Sequence, residues 1–180
     1  MSLFKRVMGG VLGLFVIVFL GGFILPSTVH VERSLAIHAR PTDIYPLVSD
    51  LTQWSSWSPW AKMDPNMVLT VAGTDVGQTM HWQSEDPMVG TGTQEITALT
   101  SPSEVKTHLD FGTQGQAEAA FKLTPQDDDT LVVWSLDTDL RAGVPLLMQP
   151  LSTYFRFVID SAVGQDYETG LANLKTIIEQ

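Results

Sequence analysis

At 180 residues and 19.8 kDa the chain has the size of one ordinary domain. Twenty Asp and Glu against ten Lys and Arg leave a formal charge of −10, which argues against a nucleic-acid backbone as a partner, and zero cysteines exclude disulfides, thiolate metal sites and cysteine nucleophiles. A hydrophobic fraction of 44% beside 17% charged residues is oily for so acidic a chain, so the apolar residues must be unevenly spread.

The excess lies first in the chain. No ionisable side chain occurs between Arg6 and His30, and Met8 to Leu25 is an unbroken run of 18 apolar and glycine residues. As a helix rising about 1.5 Å per residue it reaches roughly 27 Å, close to the hydrocarbon thickness of a bilayer, about 30 Å. Lys5 and Arg6 immediately before it favour a cytoplasmic N-terminus, although Arg33 and Arg40 follow and weaken the charge bias. The run closes on Phe23-Ile24-Leu25-Pro26 without the small residues of a cleavage site, so an anchor is preferred over a cleaved signal peptide and over a buried core helix. Gly9, Gly13, Gly21 and Gly22 offer only a weak helix-packing face. Residues 1–26 hold two cations and no acid, so the remaining 154 residues carry eight cations and all twenty acids, a charge of −12. The expected division is a cytoplasmic stub and transmembrane anchor over 1–27 and one acidic domain over 28–180.

Val29, Val31, Leu35 and Ile37 alternate with polar residues and predict a first strand whose apolar face also carries Arg33. Pro41 to Val48 reads as a short helix opened by proline. Strands are predicted over Met67–Val71, Gln78–Ser84, Gly92–Leu99, Val105–Phe111, Gln116–Leu123 and Thr130–Leu140, with Asp127-Asp128-Asp129 as a solvated hairpin turn before the last. From Leu147 the period becomes helical, through Leu151, Phe155, Val158 and Ala162, then through Tyr167, Leu171, Leu174 and Ile178. The five-residue step from Ala162 to Tyr167 spans Gly164 and predicts a kink or break there. Seven strands served by one long helix leave inward apolar surface that the helix cannot fill, and the usual outcomes are a cavity or a partner.

Several segments resemble a known group. Val31-Glu32-Arg33-Ser34 with Ile37 and Pro41, then Ser49-Asp50-Leu51, Trp54, Trp57-Ser58-Pro59-Trp60 and Asp64-Pro65, are similar to the opening of the SRPBCC superfamily, the START-like or Bet v 1-like proteins. Gly164-Gln165-Asp166-Tyr167-Glu168 followed by Gly170-Leu171-Ala172-Asn173-Leu174-Lys175 resembles that group's C-terminal helix. The resemblance covers roughly residues 28–179. It implies an α+β helix-grip fold: a curved seven-stranded antiparallel sheet wrapped around a long C-terminal helix, here preceded by one transmembrane helix. It also implies an internal hydrophobic cavity for lipids, sterols, polyketides or other apolar molecules. Bacterial members are often labelled polyketide cyclase/dehydrase and lipid transport proteins, and in some members the cavity also carries catalysis.

Candidate ligand contacts follow from the alternation. Arg33 on the inward face of the first strand could bind an anionic head group through its fork of donors, or pair internally with an acid. Trp82 shares a face with Met80, and Trp134 with Val132, Leu136 and Leu140, so both indoles point inward as core or as cavity lining. Trp54, Trp57 and Trp60 recur every three residues; they lid the cavity mouth, lie at a membrane interface or pin their loop to the sheet, the last being preferred. Gln94, on one face with Ile96 and Ala98, is a polar contact in the pocket or a hydrogen-bonded core residue, and Tyr154 and Arg156 flank the helix. The expected ligand-binding set is thus Arg33, Trp57, Trp60, Met80, Trp82, Gln94 and Trp134. His30, His38, His81 and His108 alternate away from the apolar faces, and no H-E-x-x-H, G-x-S-x-G, Walker or Rossmann pattern occurs, so neither a metal nor a cofactor is expected.

The sequence therefore points to a membrane-tethered, extracytoplasmic binding or carrier domain (periplasmic in a Gram-negative cell) for a lipid or other apolar molecule. The alternatives are a cyclase/dehydratase-type enzyme using the same cavity, and an interaction domain whose cavity is filled by side chains. The ligand and the oligomeric state are not written in the sequence.

Overall fold

The computed structural model describes residues 3–180. Helix α1 (Leu3–Ile24) contains the apolar run, and its stretch Val7–Ile24 is long and apolar enough to cross a membrane, a test that signal sequences also pass. β1 (Thr28–Ile37) follows, with Val29, Val31 and Ile37 buried at alternate positions. Then come α2 (Pro41–Ser49), a 3₁₀ turn at Leu51–Gln53, and the short helices α3 (Trp54–Trp57) and α4 (Pro59–Met63). Six strands succeed them: β2 (Val68–Ala72), β3 (Thr79–Gln83), β4 (Thr91–Thr100), β5 (Glu104–Asp110), β6 (Gln116–Gln126) and β7 (Asp129–Asp139). The chain ends in α5 (Gln149–Ser152), a 3₁₀ turn at Thr153–Phe155 and α6 (Arg156–Ile178).

The strands form one antiparallel sheet in the order β1-β7-β6-β5-β4-β3-β2. The last six make a meander, and β1 closes on β7 in a register that places Val31 opposite Leu136 and Arg33 opposite Trp134. The β6–β7 turn has Asp127 at a φ of 52°, a left-handed position that a short acidic side chain tolerates. Asp129 itself already belongs to β7.

Two local expectations fail for physical reasons. Gln94 and Ile96 point inward, but Ala98 does not share their face. A bulge after Ile96 sets Ala98 opposite Lys106 and returns Leu99 to the inner side opposite buried Val105, because one extra residue reverses the period-two alternation. Gly164, in turn, does not break the last helix, which runs continuously from Arg156 to Ile178. Instead the bare Cα lets the Arg33 guanidinium lie against the helix; a Cβ there would collide with it. The interruption falls earlier, at the 3₁₀ turn Thr153–Phe155 between α5 and α6.

The core gathers where α2, α3 and the second half of α6 meet β1, β6 and β7. Tyr167, Gly170, Leu171 and Leu174 form the buried face of α6 at helical spacing. Tyr167 stacks on Trp134 at 3.7 Å between centroids and an interplanar angle of 8°, and Trp134 stacks on Phe121 at 4.7 Å. Trp54 and Trp57 meet this stack edge-on, which is how three short helical turns are fastened to the sheet. Gly170 permits the close approach: a Cβ would stand 2.8 Å from Cζ3 of Trp134 and 3.2 Å from Cδ of Pro59.

Candidate functional site

α6 packs along β1, so the inner face at the far side of the sheet receives little helical cover. There the molecule holds a cavity of about 290 Å³. Its floor is Leu69 of β2, Met80 and Trp82 of β3, and Gln94 of β4. Trp134 and Leu136 of β7 form its inner wall, Trp54 and Trp60 one flank, and Ala162, Val163, Asp166 and Tyr167 of α6 its roof. The β3–β4 loop lies at the rim, with Met88 79% exposed. Trp82 ties that loop down by donating from Nε1 to the Val89 carbonyl at 3.3 Å, and its indole lies over Gly92, where a Cβ would collide with it.

The polar groups are few. Gln94 is buried and donates from Nε2 to Thr107 Oγ1 at 3.1 Å. Trp60 donates from Nε1 to Oδ2 of Asp166 at 3.2 Å. Burial pushes the Asp166 carboxyl above the usual carboxylate range, while the Trp60 hydrogen bond works against that shift. Asp166 and Tyr167 are the ionisable residues of the lining among the described residues, and burial drives the Tyr167 phenol up, so it stays neutral. The Trp134 indole nitrogen is buried without a hydrogen-bond partner among the described residues.

Of the residues expected at the site, Trp60, Met80, Trp82, Gln94 and Trp134 are brought together around the cavity. Trp57 is not among them: it is fully buried behind Trp54, its Nε1 donating to the Leu47 carbonyl at 2.9 Å. Arg33 also stands outside the lining. Its Nε donates to Glu168 at 2.8 Å and its Nη1 to Asp160 at 3.2 Å, so the fork of donors is spent on α6. Asp166 is the residue that strand alternation could not supply. Its signal was present in the helical pattern: four residues beyond Ala162 the apolar stripe lands on Asp166, one short of Tyr167. The histidines His30, His38 and His108 pair across the outer face with Asp137, Asp129 and Glu118, and no cluster suited to a metal occurs among the described residues.

A seven-stranded antiparallel sheet, a long C-terminal helix and an apolar cavity between them define a helix-grip ligand-binding protein. The chain belongs to the family described as polyketide cyclase / dehydrase and lipid transport, whose profile it matches over residues 28–179. Among solved structures it is similar to protein CV1439 from Chromobacterium violaceum, with a TM-score of 0.57 and 15% identity, covering 86% of this chain and 98% of that one. It is similar also to Ms6760 from Mycobacterium smegmatis (TM-score 0.56, 18% identity, 83% and 90% covered) and to Ara h 8.0201 (0.57, 12%, 84% and 97%). At such identities the likeness concerns the fold. No curated protein matches the sequence.

Proposed function

We propose that this protein is a membrane-tethered carrier or binding protein for a neutral apolar molecule, with residues 1–27 as the anchor and 28–180 as an extracytoplasmic binding domain. The observation that carries this reading is the cavity itself, apolar on every side except for Gln94, the Trp60–Asp166 pair and a few small polar groups. A cavity of about 290 Å³, open at its rim, suits a compact ring system or part of an acyl chain. Asp166 sets the polarity: a hydroxyl or amide of an otherwise apolar ligand would find a hydrogen-bonding partner in its carboxyl. Native mass spectrometry of the full chain released from detergent tests this. A copurifying apolar molecule, or stoichiometric uptake of a neutral apolar dye, is expected; neither would overturn the reading. A reporter fused at Gln180 that works only outside the cytoplasm tests the orientation, and silence from a stable fusion would reverse it.

One observation favours a second reading, catalysis of the cyclase/dehydratase kind. Asp166 is a carboxyl held toward its neutral form inside an apolar cavity, which is the state of a general acid. Asp166→Asn separates the two readings, because a carrier keeps its ligand while an enzyme keeps its ligand and loses turnover.

A further inference from the structure

We propose that the segment from Arg141 to Val158 is a second membrane contact, seated in the bilayer leaflet beside the end of α1. This rests on α1 being a membrane span.

The segment is fastened to the last turns of α1. Arg141 donates from Nη2 to the carbonyls of Gly22, Phe23 and Leu25 at 2.8, 3.1 and 3.0 Å, satisfying acceptors that a helix C-terminus leaves open. Thr153 donates to Gly22 at 2.9 Å, Arg156 to Pro26 at 3.0 Å, and Tyr154 to Val18 at 2.6 Å. A Cβ on Gly22 would collide with the backbone of Pro150, so the two segments touch main chain to side chain-free helix. Val18 precedes Ile24 by six residues, roughly 9 Å along the axis. The Tyr154 hydroxyl is thus held about that far below the end of the apolar helix, within the roughly 5–10 Å to which interfacial segments sink.

What the segment presents outward is apolar. Among the described residues after Ser27, eleven large hydrophobic residues are exposed, and six of them fall here: Leu146, Leu147, Met148, Phe155, Phe157 and Val158, each 53–71% exposed. Charge agrees. Between Asp139 and Asp160 there is no acid and there are two arginines, in a domain that is otherwise strongly acidic. A concentrated apolar patch free of acids, continuous with a membrane helix, fits a lipid surface. The cavity adjoins it: Val158 lies one helical turn before Ala162, which lines the cavity roof. The leaflet thereby reaches the cavity along α6, and an apolar ligand passes between them without crossing water.

The chain has no cysteine, so single cysteines can be introduced and labelled with an environment-sensitive fluorophore. The variants are Leu147→Cys and Phe157→Cys in the patch, Val11→Cys in α1, and Asp128→Cys in the β6–β7 turn at the opposite end of the sheet; all four positions are exposed. Full-length protein is reconstituted into phosphatidylcholine vesicles containing lipids brominated along their acyl chains. Labels at 147, 157 and 11 are expected to be quenched by bromine several-fold more than the label at 128, and to be shielded from aqueous iodide. Labels at 147 and 157 that behave like 128 while 11 is quenched would overturn the membrane contact and leave the tether standing. Shielding from iodide at 147 and 157 without bromine quenching would mean that protein covers the patch, and overturns it equally. Iodide access at all four would remove the tether, and this inference with it.

Discussion

Gly170→Ala offers a quantitative test of the packing that shapes the cavity wall. Helix propensity alone makes it favourable, since alanine in a helix interior gains about 1 kcal/mol over glycine. Here the new methyl stands 2.8 Å from Cζ3 of Trp134 and 3.2 Å from the Pro59 ring, both rigid and both packed from behind. Overpacking of this kind costs about 1–3 kcal/mol, so the net change is a loss of up to about 2 kcal/mol. For a domain of this size that lowers Tm by about 2–4 °C per kcal/mol. Trp134→Phe supplies the reverse case. The phenyl ring stops short of Cζ3, and the indole nitrogen it removes had no partner, so no hydrogen bond is broken. In that background only the Pro59 ring still crowds the methyl, so Gly170→Ala should cost clearly less than in the unsubstituted protein and stabilise by at most about 1 kcal/mol. Thermal unfolding of the four proteins, followed by far-ultraviolet circular dichroism in detergent, gives the coupling directly. Equal effects of Gly170→Ala in both backgrounds, within about 0.5 kcal/mol, would refute the claim that Trp134 limits the space on α6.

Ala162→Trp, at an exposed position of the cavity roof, should abolish Nile red binding while leaving Tm nearly unchanged, as fluorescence titration and thermal unfolding would show. Asp166 titrates above its ordinary value in the folded protein, so the fold loses stability as pH rises from the unfolded carboxylate range through the raised value. Asp166→Asn should remove that loss and therefore gain most, relative to the unsubstituted protein, at neutral pH; urea titrations across the pH range measure it. His38 is raised as well, by its hydrogen bond to Asp129, giving stability present below the ordinary histidine value and lost as pH rises through the folded one. His38→Gln should accordingly cost more at about pH 5.5 than at about pH 9, and an equal cost at both would sink the assignment.

The element order was legible because each strand alternates strictly enough to declare its period. Val29 to Ile37 and Val132 to Leu136 carry the inner face of neighbouring strands that are a hundred residues apart in the chain. The resemblance of the tryptophan segment and of the last helix to SRPBCC proteins fixed the architecture. Two kinds of information escaped. Alternation cannot register a bulge, so Ala98 was assigned to the wrong face. Nor can it tell a cavity wall from a packed core, since both are apolar and inward; Trp57 and Trp82 look alike in sequence, and only one meets open space.

The sequence by itself determined the anchor-like apolar helix, the separation of charge from oiliness and the helix-grip plan, because these depend on local periodicity and composition. The tertiary structure decided which donors and acids are free. Arg33 promised an anion site and is occupied by Asp160 and Glu168, whereas Asp166 was hidden in a helical stripe and is the acid left facing the cavity. Pairing across more than a hundred residues depends on how β1 and α6 meet, and no local pattern records it.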